Sequence, residues 1–434
     1  MVKVKRWKCI FALLVLVTVT GLMSLNIQNY IPMSYKINMA LRTNSSPSMA
    51  MYSARVHTQI TDGLEHTEDD NEAVAEGDLL LQQLSAGDVT HISQACPWNS
   101  GTPPLDDKMK TKYEIHDLFR LKTSEFLSNY KNPCWRKENT RQVLCLPYFY
   151  VVGFPKCGST FTFSTIVGHP EVAKPQFKET QWIARRRFDG SSNLDEFLDM
   201  FSSATRIIEK NMVTDNNTGK TFHPMITGEG SPSTAWQNSH WRHLPGNYNC
   251  TEPRVLNPHY IYHLNPATKI IIVIRNPTDM RISEYNFFNR HHPTAEKFHE
   301  EMVDGIQKFE GCLSRFPLRT CAYNNSEIMR TPIGLYHVFI SDWMKVFPRE
   351  QILLVRLEDT HDDPYSSFSN IFEFLGLSHV SRLELQNIMS GSRMNQRKRA
   401  FTAKNETRRI LDDFFKPHNI QLAKLLNNTI PIYG

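Results

Sequence analysis

Hydrophobic and polar positions divide the chain into three regimes. Cys9–Leu25 (CIFALLVLVTVTGLMSL) is an uncharged, mostly apolar run of 17 residues. From residue 26 to about 108 no apolar periodicity persists, although Leu79–Leu84 could make one short helix. From about 110 the pattern becomes dense and alternates in period. Tyr148–Val152 reads as a strand ending at Gly153, and Ser159–Val167 as the helix that follows. Lys269–Arg275 (KIIIVIR) is a continuous β-branched run of the kind buried on both faces of a parallel sheet, with a helix from about Asp279 to Phe288 behind it. Ile333, Tyr336, His337, Ile340, Trp343, Met344 and Phe347 recur at helical spacing. His337 then belongs to the core or its rim. Gln351–Leu357 is a further strand, and Phe368, Ile371, Phe372 and Leu375 mark another helix. Strand–helix alternation predicts an α/β domain over 109–434, a three-layer sandwich around a central parallel sheet.

The basic residues Lys3, Lys5, Arg6 and Lys8 precede the apolar run. This predicts a cytoplasmic tail (1–8), a transmembrane signal anchor (9–25) and a flexible acidic luminal stem (26–108). A cleaved signal peptide is the competing reading, but Met23-Ser24-Leu25 offers no small-x-small cleavage site. A short span suits a thin early-secretory membrane, so the expected setting is a single-pass type II protein of the Golgi membrane with a luminal domain. Six sequons, at Asn44, Asn216, Asn249, Asn324, Asn405 and Asn427, lie beyond the anchor and are candidate glycosylation sites. Seven of the eight cysteines do too, an odd count that leaves one thiol free if the rest are oxidised. Cys312 and Cys321 flank a short polar stretch and are the local disulfide candidate. The pairing of Cys96, Cys134, Cys145 and Cys250 stays open.

Charge sharpens the picture. The chain of 434 residues has a formal net charge of +5. Residues 1–55 hold seven cations and no acid, while 56–107 hold eleven acids and no Lys or Arg. The part from 108 onward therefore carries a surplus of nine cations, which favours anionic partners. A luminal domain argues against a nucleic-acid partner.

Two turns carry candidate chemistry. Gly153-Phe154-Pro155-Lys156-Cys157-Gly158-Ser159-Thr160 joins a strand to a helix. There, backbone N–H groups and a helix N-terminus form an anion site, with Lys156 as a point charge and two hydroxyls beside it. The lysine precedes the second glycine, so the pattern is not that of a nucleotide triphosphatase. The second turn, Arg275-Asn276-Pro277-Thr278-Asp279-Met280-Arg281-Ile282-Ser283, begins 119 residues after Lys156, again at a strand's carboxyl end. Both can face one crevice. Arg275 offers a fork for a terminal phosphate, and Ser283 a hydroxyl.

Together these turns resemble the two halves of the signature of sulfotransferases that use 3′-phosphoadenosine 5′-phosphosulfate (PAPS). The resemblance implies a P-loop-like sulfotransferase fold. Pro155, Lys156, Cys157, Gly158, Ser159 and Thr160 would hold the 5′-phosphosulfate, and Arg275 and Ser283 the 3′-phosphate; the product would be PAP, and no metal is required. Cys157, a thiol beside a cation, is read as a small loop residue, not a nucleophile. Glu229–Thr234, Cys312–Asn325, Ile352–Asp359 and Asp412–Asn419 resemble one subgroup of carbohydrate sulfotransferases. That subgroup sulfates C6 of N-acetylgalactosamine 4-sulfate in chondroitin and dermatan sulfate. The similarity covers roughly 110–430.

Lys178-Glu179-Thr180-Gln181-Trp182 resembles a segment of glycosaminoglycan sulfotransferases whose Glu deprotonates the acceptor alcohol. Glu179 is the implied base, with an ion pair to Lys178 or Arg185 as the bland alternative and Glu229 as the second candidate. The family's usual His is Gln181 here, and a Gln can orient but not take a proton. Lys178, Gln181, Arg185, Glu229 and Arg397 are candidate acceptor contacts. The runs Arg185–Arg187 and Arg393, Arg397, Lys398, Arg399 could grip a sulfated glycosaminoglycan or face solvent. Trp182, Trp236 and Trp241 could stack on sugars or fill the core. One rival is a glycosyltransferase, but no Asp-x-Asp for a metal–nucleotide-sugar complex occurs anywhere in the chain. The other is a silent polysaccharide-binding protein on the same scaffold.

Overall fold

The β-branched run beginning at Lys269 is the middle of the sheet. A computed structural model describes residues 117–429 and 433, except 122–124, 189–192, 215, 245, 289–292, 325–329 and 392–400. The proposed tail, anchor, stem and residues 109–116, with Asn44, Cys96 and the Arg393–Arg399 cluster, lie outside the described residues. Among those described, no helix is long and apolar enough to cross a membrane.

The described residues form eight strands: β1 (Cys134–Arg136), β2 (Val143–Cys145), β3 (Phe149–Gly153), β4 (Val213–Thr214), β5 (Thr221–Phe222), β6 (Gly228–Glu229), β7 (Lys269–Ile274) and β8 (Ile352–Arg356). The central sheet has the order β6-β3-β7-β8, and every pairing in it is parallel. Ile270 to Ile274 have no exposed surface, and β3 is buried along its whole length. Each such side chain contributes about 1.5–3 kcal/mol by leaving water. Strands buried on both faces need a helical layer on each side.

The described residues also form twelve α-helices, in chain order α1 (Ser159–Ile166), α2 (Leu194–Asp199), α3 (Ser202–Lys210), α4 (Asn257–Leu264), α5 (Pro277–Phe288), α6 (Ala295–Leu313), α7 (Leu318–Tyr323), α8 (Tyr336–Met344), α9 (Leu357–Asp362), α10 (Pro364–Phe374), α11 (Arg382–Ser390) and α12 (Asn405–Leu425). One group packs α1 with β3, α10 and α11; another packs α12 with α5, α6 and α8. The strands and helices expected from residue 148 onward occur, with ends displaced by a few residues, whereas the short helix expected at Leu79–Leu84 lies outside the described residues. The expected seven-residue apolar set around α8 spans two elements, because Ile333 sits in a short 3-10 turn over Thr331–Gly334.

Two disulfides are described. Cys312–Cys321 joins the end of α6 to α7, as expected, and Cys134–Cys145 joins β1 to β2. Cys250 is also disulfide-bonded, and Cys157 is the free thiol among the described residues. Asn216, Asn405 and Asn427 are exposed, whereas Asn249 and Asn324 are half-buried.

Candidate functional site

The first loop owes its shape to two residues in the left-handed region, Lys156 (φ 59°) and Gly158 (φ 89°). At Gly158 a Cβ would also lie 2.5 Å from Leu357 Cδ1, so both backbone and space demand glycine. The turn delivers the chain to α1. No backbone carbonyl among the described residues takes a well-formed hydrogen bond from the amides of Cys157 to Phe161. Orphan donors at a helix start are what an anion requires. The Ser159 and Thr160 side chains stand in the same turn, Ser159 buried and Thr160 half-buried. The Lys156 ammonium rests 3.9 Å above the Phe287 ring of α5.

Cys157 departs from the idea of an activated thiol. Burial, its main cause, pushes this thiol up to about 12, outweighing the cation Arg275. The sulfur lies 3.4 Å from the Pro155 carbonyl and 3.5 Å from the Tyr336 hydroxyl. It is a packed side chain, not a nucleophile.

The second turn meets the first. Arg275 Nη1 donates to the Lys156 carbonyl at 3.4 Å, so residues remote in sequence share one edge of the sheet. Asn276 caps α5, its Oδ1 accepting from Asp279 N at 3.1 Å, and Pro277 occupies the first helical position. Tethers to α12 hold this helix: Thr278 donates to Asp412 (2.6 Å) and Arg408 to Asp279 (2.8 Å). Ser283 lies half-buried one turn further along α5. A donor with an anionic group at each end fits this arrangement, with amides and hydroxyls at one loop and a guanidinium at the other.

Glu179 stands on a separate segment clamped to β6. Its Oε1 pairs with Lys178, and its Oε2 accepts from Gln181 Nε2 at 2.9 Å. The side chain is 39% exposed, so the ion pair and an open face coexist. Gln181 is itself fixed: Ser233 donates to its amide oxygen, and its own N–H donates to Ser231 Oγ at 2.9 Å. With the oxygen taken by a hydroxyl, the NH₂ is left facing the carboxylate. Gln181 therefore orients Glu179, a role the sequence reading gave to substrate contact alone.

Glu229, the other candidate acceptor contact, is turned inward. It is 2% exposed, and its Oε1 accepts from Thr180 N (3.0 Å), Thr180 Oγ1 (3.1 Å) and Ser231 Oγ, while Oε2 accepts from Ser231 N (3.0 Å). Burial raises its carboxyl above the ordinary range against those donors. It braces the Glu179 turn from within. The arginine run is likewise divided. Arg185 is exposed and donates to Gln237, whereas Arg187 is buried with its guanidinium 4.1 Å over the Tyr260 ring. Trp182, Trp236 and Trp241 are at most 4% exposed and belong to the core. Arg397 lies outside the described residues.

A line of contacts joins the loops to Glu179. Phe287, under Lys156, neighbours Phe288; Arg330 lies 5.0 Å over Phe288 and 5.2 Å over Trp236. Ala235 N donates to Val152 O at 2.7 Å, which fixes the Ser231–Gln237 turn on β3. Arg330 and the two serines escaped the sequence reading because their partners lie about fifty residues away, and no local pattern announces such pairs. Among the described residues no group of three or more His, Cys, Asp or Glu could hold a metal ion.

Comparison with known proteins follows the same lines. The family profile described as "Sulfotransferase domain" matches residues 146–416. Carbohydrate sulfotransferase 15 of Homo sapiens is 29% identical over 384 residues, which span 75% of this chain and 68% of that protein. Bifunctional heparan sulfate N-deacetylase/N-sulfotransferase 3 of Homo sapiens is 23% identical over 345 residues, 72% of this chain and 34% of that one. Among solved structures, a sulfotransferase from Alicyclobacillus acidocaldarius is 19% identical, covers 65% of this chain and 96% of its own, and has a TM-score of 0.42.

Proposed function

The chain belongs to the sulfotransferase family, and from that premise we propose that it transfers a sulfuryl group from PAPS to a sugar hydroxyl of a glycosaminoglycan. The acceptor we infer is C6 of N-acetylgalactosamine 4-sulfate in chondroitin or dermatan sulfate. The similarity to carbohydrate sulfotransferase 15 and the surplus of cations beyond residue 108 support that acceptor. The observation that carries the reading is the Arg275–Lys156 contact, which brings two anion-binding turns to one edge of the sheet. Disulfides at Cys134–Cys145 and Cys312–Cys321 fit an oxidising lumen, and with the Cys9–Leu25 run they support a type II Golgi membrane protein.

PAPS supplies an activated sulfuryl group whose bond to phosphate breaks as the bond to the acceptor oxygen forms. The amides of the first loop, with Ser159 and Thr160, hold the anionic oxygens in place. Lys156 leaves its seat on Phe287 and places its ammonium where charge gathers on the departing phosphate. Arg275 and Ser283 hold the far end. Glu179, paired with Lys178 and aimed by Gln181, takes the acceptor's proton.

The test is transfer of labelled sulfate from PAPS to chondroitin sulfate by the purified full-length chain, with disaccharide analysis of the product. Lys156→Ala should lower kcat by about 10²–10³-fold, the usual cost of one transition-state charge partner, with an unchanged melting temperature. A folded wild-type chain that binds neither PAP nor PAPS would overturn the reading.

A further inference from the structure

Tyr433 packs against the carboxyl end of β8, 75 residues from its main partner. Its hydroxyl donates to Glu358 Oε2 at 3.0 Å and lies 3.4 Å from Arg356 Nε, while the Arg356 guanidinium sits 5.1 Å over its ring. The Tyr433 carbonyl accepts from Asn419 Nδ2 of α12 at 3.0 Å, and the residue is 6% exposed. Burial and the neighbouring carboxylate keep the phenol protonated, hence a donor.

Glu358 has a second bond in the opposite direction. Its Oε1 accepts the backbone N–H of Asn276 at 2.9 Å, and Asn276 directly follows Arg275. One carboxylate thus pins the turn that carries the guanidinium, while its other oxygen is occupied by Tyr433. Arg356 Nη1 is paired with Asp359 at 3.1 Å, and its Nε is turned to the Tyr433 hydroxyl rather than to Glu358. Deprived of the phenol, Glu358 would keep a bare acceptor beside a turn whose cation is Arg275. A carboxylate so placed rotates toward the guanidinium and competes with any phosphate for it.

We propose that Tyr433 is a positioning residue for donor binding: through Glu358 it holds the Asn276 turn and keeps a carboxylate away from Arg275, leaving that guanidinium for a nucleotide's 3′-phosphate. This rests on the reading of Arg275 as the 3′-phosphate contact. The nucleotide without that phosphate is therefore the control ligand.

Calorimetry on the full-length chain with PAP and with 5′-AMP tests it, beside steady-state kinetics with PAPS. Tyr433→Phe preserves the ring on Arg356 and removes only the hydroxyl. It should weaken PAP binding about tenfold, the scale of one unsatisfied charged acceptor, and raise the KM for PAPS equally. Affinity for 5′-AMP and kcat at saturating donor should stay unchanged. Adding Glu358→Gln to Tyr433→Phe removes the competing charge and should return PAP binding to within about twofold of wild type. Loss without rescue, equal loss of PAP and 5′-AMP, or no loss at all would each overturn the role of Tyr433. Arg275→Ala separates the premise from the proposal. If it leaves PAP affinity intact, the 3′-phosphate assignment falls; if it weakens PAP while Tyr433→Phe does not, only the Tyr433 role falls.

Discussion

Gln181 does with hydrogen bonds what an imidazole in its place would do by other means. The Ser233 hydroxyl occupies the amide oxygen, so the NH₂ must meet Glu179. Gln181→Leu should lower kcat about tenfold with the KM for PAPS unchanged, because one directed charge-assisted bond to Glu179, the base of the proposed reaction, is lost. Gln181→His should recover part of that loss, since an imidazole N–H can donate in the same direction; a leucine variant with unaltered kcat would remove Gln181 from the mechanism. Cys157 makes a second residue-level case. Its thiol is raised to about 12 by burial, against 9.0 for the free group. Because the folded state resists ionisation, no penalty exists below about pH 9, and stability falls as pH climbs from there toward 12. At pH 8 iodoacetamide should therefore spare Cys157 in the native protein and label it only after denaturation; rapid native labelling would mean the loop opens.

Among the elements, the contact between α8 and α12 carries a pH signature. His337 and His418 stack with ring centroids 5.1 Å apart, and burial holds them at about 4 and about 3, below the ordinary 6.5. Both are neutral in the fold and gain protons more readily when unfolded. Stability is therefore full above pH 6.5 and declines as pH falls toward 4, by about 1.4 kcal/mol per pH unit for each histidine. His418→Leu should flatten the melting temperature between pH 6.5 and 4, without abolishing the slope, since His259 is likewise depressed to about 4. An unchanged slope would show that the pair titrates normally. The same scale shows what the sequence could tell. β3, β7 and β8 were legible because apolar runs buried on both faces leave a local trace, and Asn276-Pro277 marks a helix start by its own chemistry. The two-residue β6 was not, although it carries Glu229; so short a strand has no period, and its place is set by pairing with Phe149 and Tyr150. The inward partners of Glu229 were hidden for the same reason: a carboxylate that satisfies donors at 180 and 231 has the same sequence as one that faces a substrate.

Charge is a property of the whole molecule, and it separates binding of a polymer from chemistry on one sugar. The part from residue 108 onward carries nine more cations than acids, whereas the preceding 56–107 stretch carries eleven acids and no Lys or Arg. Such an imbalance draws a polyanion from a distance, over many charges that never touch the reacting hydroxyl. The local site needs only a few ionic contacts, held at short range and weakly screened. Salt discriminates the two, because the Debye length falls from about 14 Å at 50 mM to about 6 Å at 300 mM. Over that range the KM for chondroitin sulfate chains should rise about tenfold, while the KM for a sulfated disaccharide should change by less than about twofold. The kcat should be insensitive for both, since in the proposed reaction the donor's anionic groups meet the first loop at contact distance, where salt screens little. Parallel responses of chain and disaccharide would place all acceptor recognition within a single sugar unit, and the distributed surplus of cations would then serve no role in capturing the polymer.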